Sequence, residues 1–161
     1  MTQSEATEET EDIIELLFFA YRDFTADADA ILADMGLGRA HHRALHFINR
    51  KPGLSVAELL DLLGITKQGL ARVLRDLVNA GFVIQTPSKH DGRRRLLQLS
   101  PHGTDLINRL RAPQSRRIKA ALAGRDTDAT VVRAFLNRML NEASVVQRGQ
   151  MMGVGRIEEQ T

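Results

Sequence analysis

Residues 54–99 read LSVAELLDLLGITKQGLARVLRDLVNAGFVIQTPSKHDGRRRLLQL. The stretch opens on Ser55-Val56-Ala57-Glu58, a capping box in which the Ser hydroxyl takes a free amide and the Glu reaches back. The helix it starts, 56–63, buries Val56, Leu59, Leu60 and Leu63, and Gly64 closes it. After a very short turn Thr66 caps a second helix, 67–79, with Leu70, Val73, Leu74 and Leu77 inward. Its opposite face carries Lys67, Gln68, Ala71, Arg72 and Arg75. Gly69 near its start is either a tolerated glycine or a point where a partner backbone comes close. Asn79-Ala80-Gly81 ends the helix; Phe82–Thr86 reads as a strand and Arg95–Leu99 as its return. Between them lies a long turn centred on Asp91-Gly92.

Helix, tight turn, helix, strand, basic turn, strand is the order of a winged helix-turn-helix. The first helix braces the second, whose polar face then meets a major groove about 12 Å wide. Lys67 and Gln68 in its first turn reach base edges, Arg72 lies one turn further on the same face, and Arg75 lies near a phosphate. Thr66 and the free amides after it suit a phosphate oxygen. In the wing, Lys89, Arg93 and Arg94 form a basic finger for a minor groove, whose negative potential attracts Arg. Asp91 is placed to hold the Arg93 guanidinium extended.

Upstream, residues 12–33 form a long helix with two adjoining apolar stripes: Ile13, Leu16, Leu17, Ala20, Phe24 and Ile31, and beside them Ile14, Phe18 and Tyr21. A helix so widely apolar needs cover on more than one side, and a second copy of the chain is the natural cover. Gly36 and Gly38 turn the chain into a helix over 39–50. Downstream, Ser100 caps and Pro101 opens a basic helix, 101–123, that a kink at Pro113 would bend. Asp126 or Thr127 caps a last helix over about 128–147, with Val131, Val132, Phe135, Leu136, Met139 and Leu140 inward. The expected organisation is a disordered acidic tail (1–11), an N-terminal dimerisation helix (12–38), a winged helix-turn-helix (39–100), C-terminal dimerisation helices (101–147) and a frayed tail (148–161). The fold class is mainly α with a small β-hairpin.

Composition narrows the chemistry. The 161 residues contain no Cys, which excludes disulfides, thiol nucleophiles, Cys-based zinc sites and thiol redox sensing. No apolar run approaches the roughly 20 residues of a membrane span, and the acidic N-terminus is unlike a signal peptide, so the expected location is cytoplasmic. Residues 39–125 hold 17 Lys/Arg against five acids, whereas residues 1–12 hold five acids and no base. A basic middle of this kind suits a polyanion. No phosphate-cradling Gly loop, HExxH or ordered Ser/His/Asp relay is present, so the chain is read as no enzyme, with no cofactor and no metal.

Pro52–Leu60, Leu63–Gln68, Leu70–Leu77, Gly81-Phe82-Val83 and Asp91-Gly92-Arg93-Arg94-Arg95-Leu96 with Leu99-Ser100 together resemble the MarR family of bacterial regulators. The Asp-x-Arg wing is the most specific of these, and the resemblance spans about residues 12–147. It implies a homodimer whose first and last helices intertwine, each winged lobe meeting half of a palindromic operator. It assigns base contacts to Thr66, Lys67, Gln68 and Arg72, phosphate contact to Arg75 and minor-groove insertion to Arg93. Family members usually repress, and many release DNA on binding a small aromatic or other ligand. Where members commonly carry an aromatic residue, this chain has His42. His42 and His46, four apart and so on one face, are the candidate residues for a small aromatic or anionic effector; a hydrogen-bonded, packed His is the plainer reading. The alternatives to an operator-binding repressor are a winged-helix protein-interaction module and an architectural DNA binder without an effector.

Overall fold

The structure is a computed structural model and describes residues 3–153. Helix α1 runs from Gln3 to Ala33, α2 from Arg39 to Arg50, α3 from Val56 to Leu63 and α4 from Lys67 to Asn79. After the strands come α5 (Pro101–Leu122), α6 (Ala129–Arg138) and α7 (Glu142–Met152). Strands β1 (Leu54–Ser55), β2 (Val83–Pro87) and β3 (Arg95–Leu99) form one antiparallel sheet in the order β1-β3-β2. The chain is therefore mainly α with a winged helix-turn-helix at its centre, and its sheet has one strand more than a hairpin. β1 pairs Leu54 with Leu97 and Ser55 with Leu96; two residues are too few for alternation to signal a strand.

The caps hold as read. Ser55 Oγ accepts the Glu58 amide at 3.2 Å, and the Glu58 carboxylate accepts the Ser55 amide at 2.8 Å. Thr66 Oγ1 accepts the Gly69 amide at 3.0 Å. A Cβ at Gly69 would sit 3.1 Å from that same hydroxyl, so the glycine leaves room for its own helix cap. Gly64, at φ +60°, takes the left-handed conformation that ends α3 and starts the turn to α4. The core between these helices is aliphatic: Leu59 and Leu63 of α3, Leu70, Val73, Leu74 and Leu77 of α4, Ala44, Leu45 and Ile48 of α2, and Leu97 of β3. Ala28 and Leu32 of α1, Leu106, Ile107 and Leu110 of α5, Leu54 and Val83 of the sheet and one aromatic side chain, Phe82, complete it.

Other expectations are corrected. Residues 3–11, read as a disordered tail, are helical; acidic side chains such as Glu5 in a first turn favour the positive end of the helix dipole. Residues 1 and 2 lie outside the described residues. The last helix is two: Asp128, not Asp126 or Thr127, caps α6, and Asn141 caps α7 through the Ser144 amide at 2.8 Å. Residues 148–152, placed in a frayed tail, belong to α7, while 154–161 lie outside the described residues. None of the side chains expected to point inward from that last helix is buried: Val131, Val132, Phe135, Leu136, Met139 and Leu140 are each at least 36% exposed. Helix α5 passes unbroken through Pro113. Among the described residues no helix is long and apolar enough to cross a membrane.

Candidate nucleic-acid interface

One face of α4 packs into the core, and the other presents Lys67, Gln68, Ala71, Arg72 and Arg75, all exposed, with Thr66 at its N-terminus. Two side chains from α2 fix the pose of this helix pair. His41 Nδ1 accepts the Gly38 amide at 3.0 Å, which leaves the Nε2 proton directed at Asp76 Oδ2 of α4, also at 3.0 Å. Arg43 Nη2 donates to the Leu63 carbonyl at 2.9 Å, satisfying the C-terminus of α3 and its dipole. Neither role was legible in the sequence, because each partner lies far along the chain.

The wing leaves the sheet where Pro87 pairs with Arg95. Its neck is closed by the Ser88 amide on the Arg94 carbonyl at 2.7 Å, and its turn by the Arg94 amide on the Asp91 carbonyl at 2.9 Å. The tight turn thus centres on Gly92-Arg93, one residue beyond the expected position. Asp91 Oδ1 accepts the Arg93 backbone amide at 3.0 Å, so it shapes the turn and does not hold the Arg93 guanidinium. Lys89 and Arg93 stand exposed on the tip. Arg94 folds back: its Nη2 lies 3.3 Å from Glu58 Oε2 and 3.4 Å from Ser55 Oγ. Partial burial alone would raise the Glu58 pKa, but the Lys51 ammonium at 2.9 Å and the Ser55 amide and hydroxyl outweigh it and hold the carboxyl at about 2.

The candidate effector residues separate. His46, with Phe47, Arg50, Arg111 and Arg148 among others, lines a cavity of about 800 Å³ between α2, α5 and α7. His42 is not part of that lining. Burial lowers the His42 pKa against the opposing charge of Asp29. Partial burial lowers His46 as well, reinforced by His42, Arg111 and Arg50. Arg50, Arg111 and Arg148 make no ion pair with any carboxylate among the described residues, so three uncompensated guanidiniums share one cavity. The sequence reading missed them. No group of three or more His, Asp or Glu among the described residues is arranged to hold a metal ion.

A profile of the MarR family matches residues 35–94, from the end of the first helical region to the wing. The HTH-type transcriptional regulator PetP of Rhodobacter capsulatus is 47% identical over 131 residues, covering 81% of this chain and 79% of that protein. The chain belongs to the MarR family. The HTH-type transcriptional repressor Mb2911 of Mycobacterium bovis is 32% identical over 111 residues, 60% of this chain and 80% of that protein. A mutant of S. aureus MepR, solved bound to an oligodeoxyribonucleotide, shares the fold at a TM-score of 0.57 with 16% identity, covering 79% of this chain and 94% of that one. The chain is thus a MarR-family regulator of transcription, a DNA-binding protein of the helix-turn-helix class and not an enzyme.

Proposed function

We propose that this MarR-family chain is a homodimeric, cytoplasmic repressor that reads a palindromic operator and releases it on binding an aromatic or anionic effector. The observation that carries the DNA-binding part is the exposed polar face of α4, with Lys67, Gln68, Arg72 and Arg75, set beside a wing tip bearing Lys89 and Arg93. Gln68 suits a two-point contact with adenine, and Lys67 and Arg72 suit guanine. Thr66 and Arg75 take phosphates, and Arg93 enters the minor groove. The repressor reading draws on the name of the mycobacterial relative.

In a gel-shift titration, Arg93→Ala weakens operator binding at least about tenfold. Gln68→Ala lowers discrimination between sequences by about 1–3 kcal/mol. The logarithm of affinity falls with that of salt by about 0.9 per phosphate neutralised. A flat salt response with both variants unchanged rules out this interface. Half-sites one helical turn apart, or a multiple, are expected for a symmetric dimer.

For the effector, the cavity at His46 offers Arg50, Arg111 and Arg148 to an anion and Phe47 to its apolar part, while His42 lies outside that lining and helps to lower the His46 pKa. Burial, reinforced by His42, Arg111 and Arg50, lowers the His46 pKa and favours the neutral imidazole; an anion beside it favours the imidazolium, so binding takes up a proton and strengthens as pH falls. Benzoate should therefore displace DNA at lower concentration at pH 6 than at pH 8, and Arg111→Gln should remove the effect. Release that is independent of pH and equal in the variant rejects the site.

A further inference from the structure

Beside the basic wing, on the bracing helix, stands a carboxylate that engages two cationic side chains. Glu58, on the bracing helix α3, accepts Lys51 Nζ on Oε1 at 2.9 Å and both the Ser55 amide and Arg94 Nη2 on Oε2, at 2.8 and 3.3 Å. Arg94 stands where the wing tip rejoins β3. Ladder pairing between the strands ends at Pro87 and Arg95, and the Ser88 amide on the Arg94 carbonyl closes the neck one residue further; the side chain of Arg94 then ties that neck to the bracing helix through Glu58. Beside the bridge lies a crevice of about 420 Å³, walled by Val56 of α3, Lys67 and Ala71 of α4, and Gln85, Arg93 and Arg94 of the wing. The crevice thus lies between the two elements, α4 and the wing, that carry the proposed DNA contacts.

We propose that Glu58 is a positioning residue for sequence recognition: it turns Arg94 away from DNA and makes it a strut that sets the gap between the reading helix and the wing tip. Major-groove and minor-groove contacts then form together only on DNA whose grooves match that gap. This rests on the operator-binding reading above, and it separates Arg94 from the direct DNA contacts Lys89 and Arg93.

Charge and geometry disagree about the variant Glu58→Gln, which makes it informative. Gln preserves the capping box, so α3 keeps its start, while the interface gains a net positive charge. Were Glu58 only a charge, all DNA would bind more tightly and alike. As the anchor of a strut, its loss frees the wing. The assay compares a duplex selected from a random pool by the wild-type protein with a scrambled duplex of equal length. Glu58→Gln is expected to bind the scrambled duplex as well as wild type or better, and the selected one worse, so that the affinity ratio falls about tenfold.

Arg94→Gln, whose side chain is 53% exposed and does not cap α3, should lower the ratio equally. It should also leave the salt slope unchanged, whereas Arg93→Gln lowers that slope by about 0.9. The double variant should be no worse than either single one. A ratio that survives both substitutions overturns the strut while leaving operator binding intact. An Arg94→Gln slope reduced by one phosphate overturns it by showing that Arg94 touches DNA. A wild-type protein that selects no sequence overturns the operator reading and the strut together.

Discussion

Gly103→Ala should destabilise the folded protein by about 2–3 kcal/mol, although Ala is the better helix former by up to about 1 kcal/mol. The reason is a single close approach. Ser100 donates its amide to the Phe82 carbonyl at 3.0 Å and its hydroxyl to the Gly81 carbonyl at 2.6 Å, and it accepts the Gly103 amide at 3.0 Å. These bonds draw the first turn of α5 onto the end of the α4–β2 turn. A Cβ on Gly103 would overlap the Phe82 carbonyl oxygen, with the carbonyl carbon 2.9 Å away. Both obstacles are backbone, so relief requires α5 to move off the sheet and loosen Leu106 and Leu110 from the core. Urea unfolding at fixed protein concentration measures the loss; a midpoint equal to or above wild type would show that α5 does not approach this closely.

Phe18→Asp should convert a dimer into monomers and lower operator affinity about 100-fold or more, because half-sites joined in one particle bind with an effective concentration that separate lobes lack. Phe18 is 74% exposed, and Leu16, Val131 and Val146 are each more than half exposed. Exposed apolar side chains recur along α1, α6 and α7, and apolar surface gathered on a few elements marks an interaction site. Within one chain Phe18 is largely free of neighbours, so the substitution leaves the lobe folded. Sedimentation velocity reads the oligomer and a gel shift reads the binding. A dimer that persists with unchanged DNA affinity would place the subunit contact elsewhere.

The central lobe was legible because its signals are local. Ser55 with Glu58, Thr66 before Lys67 and Ser100 before Pro101 each mark a helix start within four residues, and the apolar spacing of 70, 73, 74 and 77 marks the inner face. What escaped depends on long-range closure. Leu54-Ser55 becomes a strand only because Leu96 and Leu97 lie alongside. The contact that requires Gly103 has its partner at Phe82. The cavity joins Arg50, Arg111 and Arg148 from separate helices, and no spacing rule links them. The split of the last helix at Asn141 was marked only by an ordinary capping residue, directly after the apolar pattern ends at Leu140. The acidic N-terminal run was misjudged by charge, since the same residues suit a helix start.

The division of α4 into an inner face of Leu70, Val73, Leu74 and Leu77 and an outer face of Lys67, Gln68, Ala71, Arg72 and Arg75 has an evolutionary consequence. On the proposed operator-reading role of the outer face, the letters that address the regulator to its genes and the letters that keep it folded interleave along thirteen residues, yet they share no side chain. Duplicated copies of such a gene can be readdressed to new promoters by changes on the outer face alone, each within the few tenths of a kcal/mol that a surface substitution ordinarily costs, so diversification need not pass through an unstable ancestor.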